Sequence, residues 1–483
     1  MKLQNLTALL TALLCLTAVV SCGEAAEAPA PETESVNVPA ETAETGEPGY
    51  PAPDFSALDF GGDTLHMISP DWNTASFNFT DAEDGDSLND AIYARMRNVE
   101  SAVNVKIEYQ WVSSQDIHSM VKNSVSAGDD AYDIIFTHSI YGIGDMAIDN
   151  VLYNLDDLSN LNFDAPWWNR DMIDQFRIGR KTIYAYGDII IPNPGAMYFN
   201  KQIVTDYDLP DQYQLVRDGR WTYDTFLSEA KMISQDVNGD SVIDENDLVG
   251  LSGDLQDTVS YLLYSIGERC TNVTENGLEL VYYNEKTLDA YNKLYDLYTD
   301  KAHSQAYMRS NGSGQDFDAG LSLFTIKGIL SMAGLRESSI DFGVLPLPKW
   351  DEAQKEYITY ANSRFVCVPT TITRPELVGA SLEQFAYEST NVKNEYFETL
   401  IRGKSSRDVE SLEMLDIITS NLTCDVGANY LGFDEQFNKI FYGFKVMLAQ
   451  NTKDFTSFYQ KTEKSVLKVI DKLYADVIAA EES

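Results

Sequence analysis

Strand-like and helix-like patterns alternate along the chain from residue 63 onward, and this order constrains the fold more than any other feature. Residues 63–69, 104–111 and 132–136 are apolar in the manner of buried strands, whereas residues 87–103 and 114–127 have helical patterns. Strands that alternate with helices favour a mostly parallel sheet with right-handed crossovers. In such α/β folds, ligands bind beyond the carboxyl ends of the strands.

The first 21 residues have the pattern of an export signal peptide. Lys2 precedes an apolar run over residues 6–20 that is too short to span a bilayer as a mature helix. The following VVSC resembles the lipobox of bacterial lipoproteins, in which the cysteine, here Cys22, is acylated and becomes the first residue. The alternative is an ordinary signal peptide that leaves Cys22 free. The expected location is the extracellular or periplasmic side of the cell membrane, held by lipid alone.

Residues 22–54 are predicted to form a disordered stalk. Between residues 23 and 53 the chain has no Lys or Arg, and Glu, Ala, Pro and Thr recur. Such a composition buries too little apolar surface to offset the entropy lost on ordering. The roughly 430 residues that follow exceed one ordinary hydrophobic core, so we expect two lobes.

The chain is strongly acidic, with 35 Lys and Arg against 75 Asp and Glu and a net charge of -40. Nucleic acid and anionic lipid surfaces would repel it, so no nucleic-acid partner is expected. The simplest interpretation is a solvated acidic exterior. After processing, Cys270, Cys367 and Cys424 remain, which permits at most one disulfide of undetermined pairing.

Several motifs, weak singly, occur together in a recognisable order. They include MYFNK, DGRWTYDTF, FDAGLSLFTIKGIL, DFGVLPLPKW and YITYANSRFVCVPTT. From about residue 63 to the end, the chain resembles the family 1 extracellular solute-binding proteins of sugar transport. The resemblance implies a two-lobed periplasmic-binding-protein-like fold of class II, with mostly parallel sheets flanked by helices and a hinge of crossing strands. The implied first lobe is 55–188 with 358–405, and the implied second is 189–357 with the helical region 406–483.

The resemblance also implies which residues face the solute. They lie on two loops of the first lobe, the PWWN stretch, the two crossings and one strand end of the second lobe. The predicted ligand-binding residues are Asp71, Trp72, Asn73, Thr137, His138, Ser139, Tyr141, Trp167, Trp168, Asp188, Asn193, Thr325, Lys327, Asn362 and Arg364.

Sugars present hydroxyl groups and flat C–H patches, so their sites need polar forks and aromatic faces. Asp71 and Ser139 are the expected hydroxyl partners, and Trp72 and Tyr141 the expected stacking faces. One of the two tryptophans of PWWN is expected to floor the cleft while the other packs beneath it. Arg364 could equally be a buried ion-pair partner.

The segment DVNGDSVIDEND, residues 236–247, spaces oxygen ligands as an EF-hand calcium loop does. The predicted ligands are Asp236, Asn238, Asp240, the carbonyl of Val242, Asp244 and Asp247. Two features depart from the pattern: Ser241 stands at the position that usually requires glycine, and Asp247 replaces a bidentate glutamate. An acidic turn without metal is the alternative, and a structural Ca²⁺ is the expectation.

The sequence lacks the G-x-S-x-G, H-E-x-x-H and P-loop motifs and contains only four histidines. We therefore expect a protein that is not an enzyme and requires no cofactor. The predicted function is capture of a mono- or oligosaccharide by a monomer and its delivery to the permease subunits of an ABC importer. The alternatives are a binding protein for another solute, such as an oligopeptide, or a secreted glycosidase or lyase.

Overall fold

The computed structural model describes residues 50–71, 77–138, 141–241, 243, 246–274, 277–299, 306–309, 315–335, 339–361, 364–402, 409–432 and 434–482. Within these ranges, no helix combines the length and apolar character needed to cross a membrane. Cys270, Cys367 and Cys424 are free, buried thiols.

The strands belong to two main sheets and two short ribbons. They are β1 Asp63–Pro70, β2 Val105–Val112, β3 Ile134–His138, β4 Gly195–Asn200, β5 Ser234–Gln235, β6 Leu248–Asp254, β7 Thr271–Thr274, β8 Gly277–Leu280, β9 Ala306–Arg309, β10 Ser322–Gly328, β11 Phe342–Leu345, β12 Thr359–Tyr360, β13 Arg364–Cys367 and β14 Leu422–Thr423.

The helices flank these sheets and dominate the C-terminal third of the chain. They are α1 Ser87–Val103, α2 Ile117–Ala127, α3 Ile143–Ile148, α4 Arg170–Gln175, α5 Lys201–Asp206, α6 Gln212–Arg217, α7 Tyr223–Met232, α8 Leu255–Ser265, α9 Glu285–Thr299, α10 Gln315–Asp318, α11 Met332–Leu335, α12 Pro375–Arg402, α13 Val409–Ser420, α14 Val426–Tyr430, α15 Phe437–Phe441, α16 Gly443–Ala449 and α17 Phe455–Glu482. Short 3-10 turns lie at Leu155–Asp157 and Ile329–Ser331.

The first sheet has the strand order β13-β3-β1-β2. β1 runs parallel to both β2 and β3, and only β13 is antiparallel to its neighbour. The Asp86 side chain accepts hydrogen bonds from the first turn of α1, and Asn104 ends that helix with a φ of 49°. The α/β class predicted from the alternating patterns is confirmed, and β1, β2 and β3 lie where they were expected.

The second sheet has the order β11-β4-β10-β6-β5, with β9 also paired to β6. β6 is parallel to β10 and β9, but β4 runs antiparallel to both β10 and β11, and β5 antiparallel to β6. The expectation of a mostly parallel sheet is therefore wrong for this lobe. The chain enters β4 directly from the other lobe without a helical crossover, so nothing requires β4 to run parallel to its neighbours.

Two segments carry the chain between the sheets and pair with each other. Residues 187–194, the crossing segment, lead into β4, and the chain returns through Ala361 to β13. Antiparallel bridges join Ala185 to Val366 and Pro194 to Ala361 at the two ends of this passage. The Ala185 N–H donates to the Val366 carbonyl over 2.8 Å, and the reverse bond is 3.0 Å. The passage is thus a short two-stranded hinge.

A second apolar cluster contains residues from both lobes. It includes Ile92 of α1 and Val392 of α12 together with Ile191 of the crossing segment, Ile329 and Phe342. We call this set the interlobe cluster. Removing such apolar surface from water stabilises the arrangement in which the lobes lie together.

Arg95 of α1 ties α1 and α12 to the chain that follows β1. It is 1 % exposed, and its guanidinium donates to the Ser389 hydroxyl and to the carbonyls of Phe77 and Asn78. Its centre also lies 4.5 Å from the Phe385 ring centre. Burial lowers the pKa of Arg95 to about 9, so it stays charged near neutral pH.

The C-terminal region, which the sequence assigns to the second lobe, also contacts the first lobe. Near the end of α17, the Glu481 carboxylate accepts hydrogen bonds from the backbone N–H groups of Arg180 and Lys181 at 2.9 and 3.0 Å. α14 also packs against α3 of the first lobe. A carboxylate that satisfies two backbone donors anchors this helix end to the first lobe.

Tyr50, which lies within the predicted stalk, contacts the first lobe. Tyr50 packs edge-on against Trp167 with ring centres 5.4 Å apart, and its hydroxyl accepts a hydrogen bond from Asn162 Nδ2 over 2.8 Å. An aromatic ring with a polar tip can hold a chain end onto a folded surface in this way. The folded part therefore includes Tyr50.

Asp425 organises the junction of α8, β7 and α14. Its buried carboxylate accepts hydrogen bonds from the Tyr264 hydroxyl, the backbone N–H groups of Cys270, Thr271 and Ala428, and the Thr271 hydroxyl, at 2.6 to 3.2 Å. A carboxylate buried without water requires this many donors. Asp425 also serves as the N-cap of α14.

We expect Asp425→Ala to lower the free energy of unfolding by roughly 3 kcal/mol, because several donors to a buried charge lose their acceptor together. Urea denaturation followed by circular dichroism would measure the loss. The matched control is Asp434→Ala, which removes a less buried cap of two backbone N–H groups and should cost about 1 kcal/mol. Equal losses in the two variants would contradict the assigned role.

Candidate functional site

The carboxyl end of β3 and the amino end of β13 lie side by side at the edge of the first sheet, which we call the β3–β13 edge. In the pairing of these strands, His138 is opposite Arg364 and Thr137 is opposite Phe365. His138 is 7 % exposed and Arg364 6 %. Among the described residues, the buried Thr137 hydroxyl has no hydrogen-bond partner. Three of the predicted site residues are therefore adjacent here.

The electrostatics of this edge follow from burial. Burial, with the Arg364 charge second, lowers the pKa of His138 to about 3. Burial lowers the pKa of Arg364 to about 10, against an opposing effect of Tyr396. At neutral pH the imidazole is therefore neutral and the guanidinium charged. The Tyr141 ring lies 5.6 Å from that of His138, and the Tyr396 ring 5.1 Å from that of Phe77.

Asn193 faces the second lobe from the crossing segment. Its Oδ1 accepts a hydrogen bond from the backbone N–H of Leu330 over 3.0 Å. A Cβ on Gly328 would lie 2.4 Å from that same oxygen, so only glycine allows this approach. The Tyr198 hydroxyl donates to the Gly328 carbonyl. Asn193 thus holds the turn after β10 against the crossing segment.

Asp188 lies on the other face of the crossing segment, in a pocket of about 630 Å³. Its carboxylate accepts a hydrogen bond from the Thr390 hydroxyl and pairs with Lys393 of α12 at 2.6 Å. Ile190 also lines this pocket, whereas the next residue, Ile191, belongs to the interlobe cluster, so these two side chains face different sides of the segment. Asp188 and Asn193 therefore do not share one recess.

Trp167 and Trp168 are both buried, at 3 % and 5 % exposure, and share one acceptor. Their indole N–H groups donate to the two oxygens of Glu383 over 3.0 and 2.8 Å. Trp168 lines the pocket beside Asp188, while Trp167 packs between Tyr50 and Tyr387. Trp167 packs in the core and does not line that pocket, in the way expected for one of the two tryptophans, and its role in ligand binding stays a prediction.

Thr325 and Lys327 lie on β10 within the second lobe. Thr325 is fully buried, and its hydroxyl has no hydrogen-bond partner among the described residues. Lys327 pairs loosely with Asp318 at 3.8 Å, and burial lowers its pKa. Thr325 is buried in the present arrangement of the lobes, and its role in ligand binding stays a prediction. Lys327 points to its ion-pair partner on α10.

Some predicted site residues fall outside the described part of the chain, and they stay predictions. These are Trp72, Asn73, Ser139 and Asn362 for the ligand, Val242 and Asp244 for the metal, and Cys22 for lipidation. Asp71 is described: it is exposed directly after β1, and its backbone N–H donates to the Val112 carbonyl.

Sequence reasoning missed the contribution of α12 to both faces of the crossing segment. Tyr396 lies near Arg364, whereas Lys393 and Phe397 line the pocket beside Asp188. The spacing of residues on α12 could have indicated this contribution. Lys393 and Phe397 are four residues apart and share one helical face, and Val392 and Tyr396 share the neighbouring face in the same way. Aromatic and charged residues are too common on core helices for that spacing alone to indicate a site.

The predicted calcium loop brings three of its carboxylates together. Oxygens of Asp236, Asp240 and Asp247 all lie within 4.8 Å of one another. Ser241 has a φ of 69°, the left-handed conformation that the usual glycine supplies at that position. Asp236 accepts hydrogen bonds from the backbone N–H groups of Gly239 and Ser241, and Asp247 from that of Val237. The loop thus has the turn that its sequence predicted despite the serine.

Comparison with known proteins identifies the family. Residues 81–363, more than half of the chain, match the family model described as bacterial extracellular solute-binding protein. The chain belongs to this family. No curated protein sequence matches this solute-binding protein significantly.

Solved structures of low sequence identity share the fold. A cyclo/maltodextrin-binding protein complexed with maltotetraose is 14% identical, with a TM-score of 0.57 over 86% of this chain and 97% of that one. The maltose-binding periplasmic protein MalE from Listeria monocytogenes in complex with maltose is 15% identical, with a TM-score of 0.56 over 85% and 98%. UgpB from Mycobacterium tuberculosis with glycerophosphocholine is 14% identical, with a TM-score of 0.55 over 85% and 100%. These likenesses confirm the two-lobed fold of the solute-binding protein.

We expect His138 to make this solute-binding protein less stable in acid. Its folded pKa of about 3 lies below the value of about 6.5 in an unfolded chain, so the unfolded state binds the additional proton. The stabilising contribution is complete above pH 6.5 and is lost as the pH falls towards 3. Between pH 7 and 5, wild type should lose about 2 kcal/mol more than His138→Gln.

Urea denaturation at each pH would measure this difference, with His66→Gln as the control because the His66 side chain is 43% exposed. The free energy of unfolding of the His66 variant should change with pH as that of wild type does. If His138→Gln also showed the wild-type pH dependence, the assignment of a buried neutral imidazole to His138 would be wrong.

Proposed function

We propose that this protein captures a carbohydrate between its lobes and delivers it to an ABC importer. The observation that carries the proposal is the β3–β13 edge, where His138, Arg364 and Tyr141 meet at the carboxyl end of a parallel strand. Membership of the solute-binding family supports capture. Maltose and maltotetraose in two proteins of the same fold support the choice of a sugar.

The chemistry of the edge suits a sugar. Arg364 presents several N–H donors in a rigid fork, and neutral His138 can donate from one ring nitrogen and accept at the other. Tyr141 provides a ring on which the C–H face of a pyranose could lie. Among its described residues the edge has no pair of buried carboxylates, which suits binding better than glycoside hydrolysis, a reaction that needs two carboxyls at a defined separation.

Capture and release would use the hinge. In this proposal, a solute held at the β3–β13 edge also contacts the second lobe, and the turn that Asn193 holds after β10 is the candidate contact there. Its differential affinity for the closed arrangement would then shift the equilibrium towards closure. The closed form would dock on permease subunits driven by a separate ATPase, with the protein held at the membrane by lipid on Cys22.

We expect maltose or maltotetraose to bind the purified protein and Tyr141→Ala to weaken that binding at least tenfold, because the stacking face is lost. Isothermal titration calorimetry would measure it, with glycerophosphocholine and a tripeptide as competing solute classes. The control is Asn394→Ala in the pocket beside Asp188, which should bind as wild type does.

If only Asn394→Ala bound the sugar more weakly, the sugar site would lie in the pocket beside Asp188 and not at the β3–β13 edge. Tighter binding of glycerophosphocholine or of the tripeptide than of either sugar would show that the solute is not a carbohydrate. Chromatography of the incubated sugar should recover it unchanged, and the appearance of shorter products would indicate an enzyme.

We also propose that the 236–247 loop holds a structural Ca²⁺. All of the predicted ligands are oxygens, which suits a hard cation, and the carboxylates of Asp236, Asp240 and Asp247 are close enough to share one ion. The left-handed Ser241 supports the sharp turn that such a loop needs. A single loop of this kind favours stabilisation of a long connection over a sensing role.

Addition of Ca²⁺ at 100 times its dissociation constant should raise the free energy of unfolding by about 2.7 kcal/mol, because the ion binds only the folded loop. Thermal unfolding with Ca²⁺ and with a chelator would detect it. Asp240→Asn should abolish the response, whereas Asp206→Asn, outside the loop, should retain it. An unchanged melting temperature in wild type would leave the loop as a metal-free turn.

A further inference from the structure

A separate cavity of about 330 Å³ lies between α3, the turn after α14 and the second half of α17. It is distinct from both recesses beside the crossing segment, because it shares no lining residue with the pocket at Asp188 and does not include the β3–β13 edge. The residues that matter here are Asp145, Asn429, Tyr430, Asp434, Lys472 and Asp476. Its volume is at the lower end of the range for ligand pockets, about 300 to 1,000 Å³.

Asn429 is the exceptional side chain of this cavity. It is 2 % exposed, and neither its amide nitrogen nor its amide oxygen has a hydrogen-bond partner among the described residues. Its backbone is satisfied, since its N–H donates to the Asp425 carbonyl over 2.9 Å. Nearly all buried polar groups in folded proteins are paired, so a buried amide with both ends unpaired indicates an occupant that both accepts and donates.

The wall around Asn429 is built from close backbone packing and has little freedom to rearrange. A Cβ on Gly144 of α3 would lie 2.4 Å from the Tyr430 carbonyl, so α3 and α14 are in direct backbone contact. The Tyr430 hydroxyl donates to the Phe176 carbonyl, which fixes the ring beside Asn429. The cavity therefore cannot easily collapse to give Asn429 a protein partner.

The side chains around the cavity carry a net negative charge, which favours a cationic ligand. Asp145, Asp434 and Asp476 contribute three carboxylates, against the single ammonium of Lys472, which pairs with Asp476. Asp434 also accepts hydrogen bonds from the backbone N–H groups of Gln436 and Phe437. An excess of negative charge repels anions and attracts a cation.

We propose that this cavity is a second ligand site, which binds a small cationic amino alcohol of the size of an amino sugar. A hydroxyl of the ligand would accept a hydrogen bond from the amide nitrogen of Asn429 and donate one to its amide oxygen. The ammonium group of the ligand would face the carboxylates, and chiefly that of Asp145. This site does not depend on the carbohydrate proposal for the β3–β13 edge, since none of its lining residues belongs to β3 or β13.

The test uses the full processed protein and glucosamine as the probe, with glucose and glucuronate as its neutral and anionic counterparts. Isothermal titration calorimetry should show binding of glucosamine, weaker binding of glucose and none of glucuronate. Asn429→Leu, a substitution of similar size, should reduce glucosamine affinity at least tenfold, and Asp145→Asn about threefold. Tyr141→Ala at the β3–β13 edge should leave it unchanged.

Glucosamine affinity that is lost in Tyr141→Ala but retained in Asn429→Leu would overturn the proposal, because the sugar would then occupy the other site. A crystal of the protein soaked in glucosamine provides a second measurement if Asn429→Leu folds poorly. Density for the amino sugar against Asn429 would support the site, and density for ordered water only would refute it.

Discussion

Two segments pass between the sheets, and their pairing with each other positions the residues on either side of them. Bridges at Ala185–Val366 and Pro194–Ala361 hold both ends of the passage. Between them the chain makes a turn at residues 187–190, in which the Ile190 N–H donates to the Gly187 carbonyl over 2.9 Å. Asp188 in this turn meets α12, whereas Asn193 beyond it meets the turn after β10. One short passage thus generates two recesses of different chemistry.

Buried charges mark the junctions that hold this passage in position. Glu383 of α12 receives the N–H groups of two tryptophans, Arg95 of α1 reaches α12 and the chain after β1, and Asp425 collects donors from α8, β7 and α14. A charge withdrawn from water is stable only where several partners converge. Each of these residues therefore specifies how separate elements meet, while the large excess of acidic residues can remain solvated.

Part of this arrangement was predictable from local pattern. The strands β1, β2 and β3 are short apolar runs, whose period and length identify them in any context. The calcium-like loop was predictable because its ligand spacing is a property of neighbouring residues, and Ser241 adopts the expected left-handed turn. The PWWN stretch was located but not interpreted, because whether Trp167 or Trp168 faces a recess depends on Glu383, some 215 residues away.

Local periodicity and the order of the motifs are sufficient for the α/β class, the family and the order of the segments. The antiparallel direction of β4, the contact of α17 with Arg180 and the burial of Asn429 without a hydrogen-bond partner among the described residues emerge only in the folded protein. These features arise from contacts between residues that are distant along the chain. Their energies depend on burial and on the direction of approach, and no local pattern encodes either quantity.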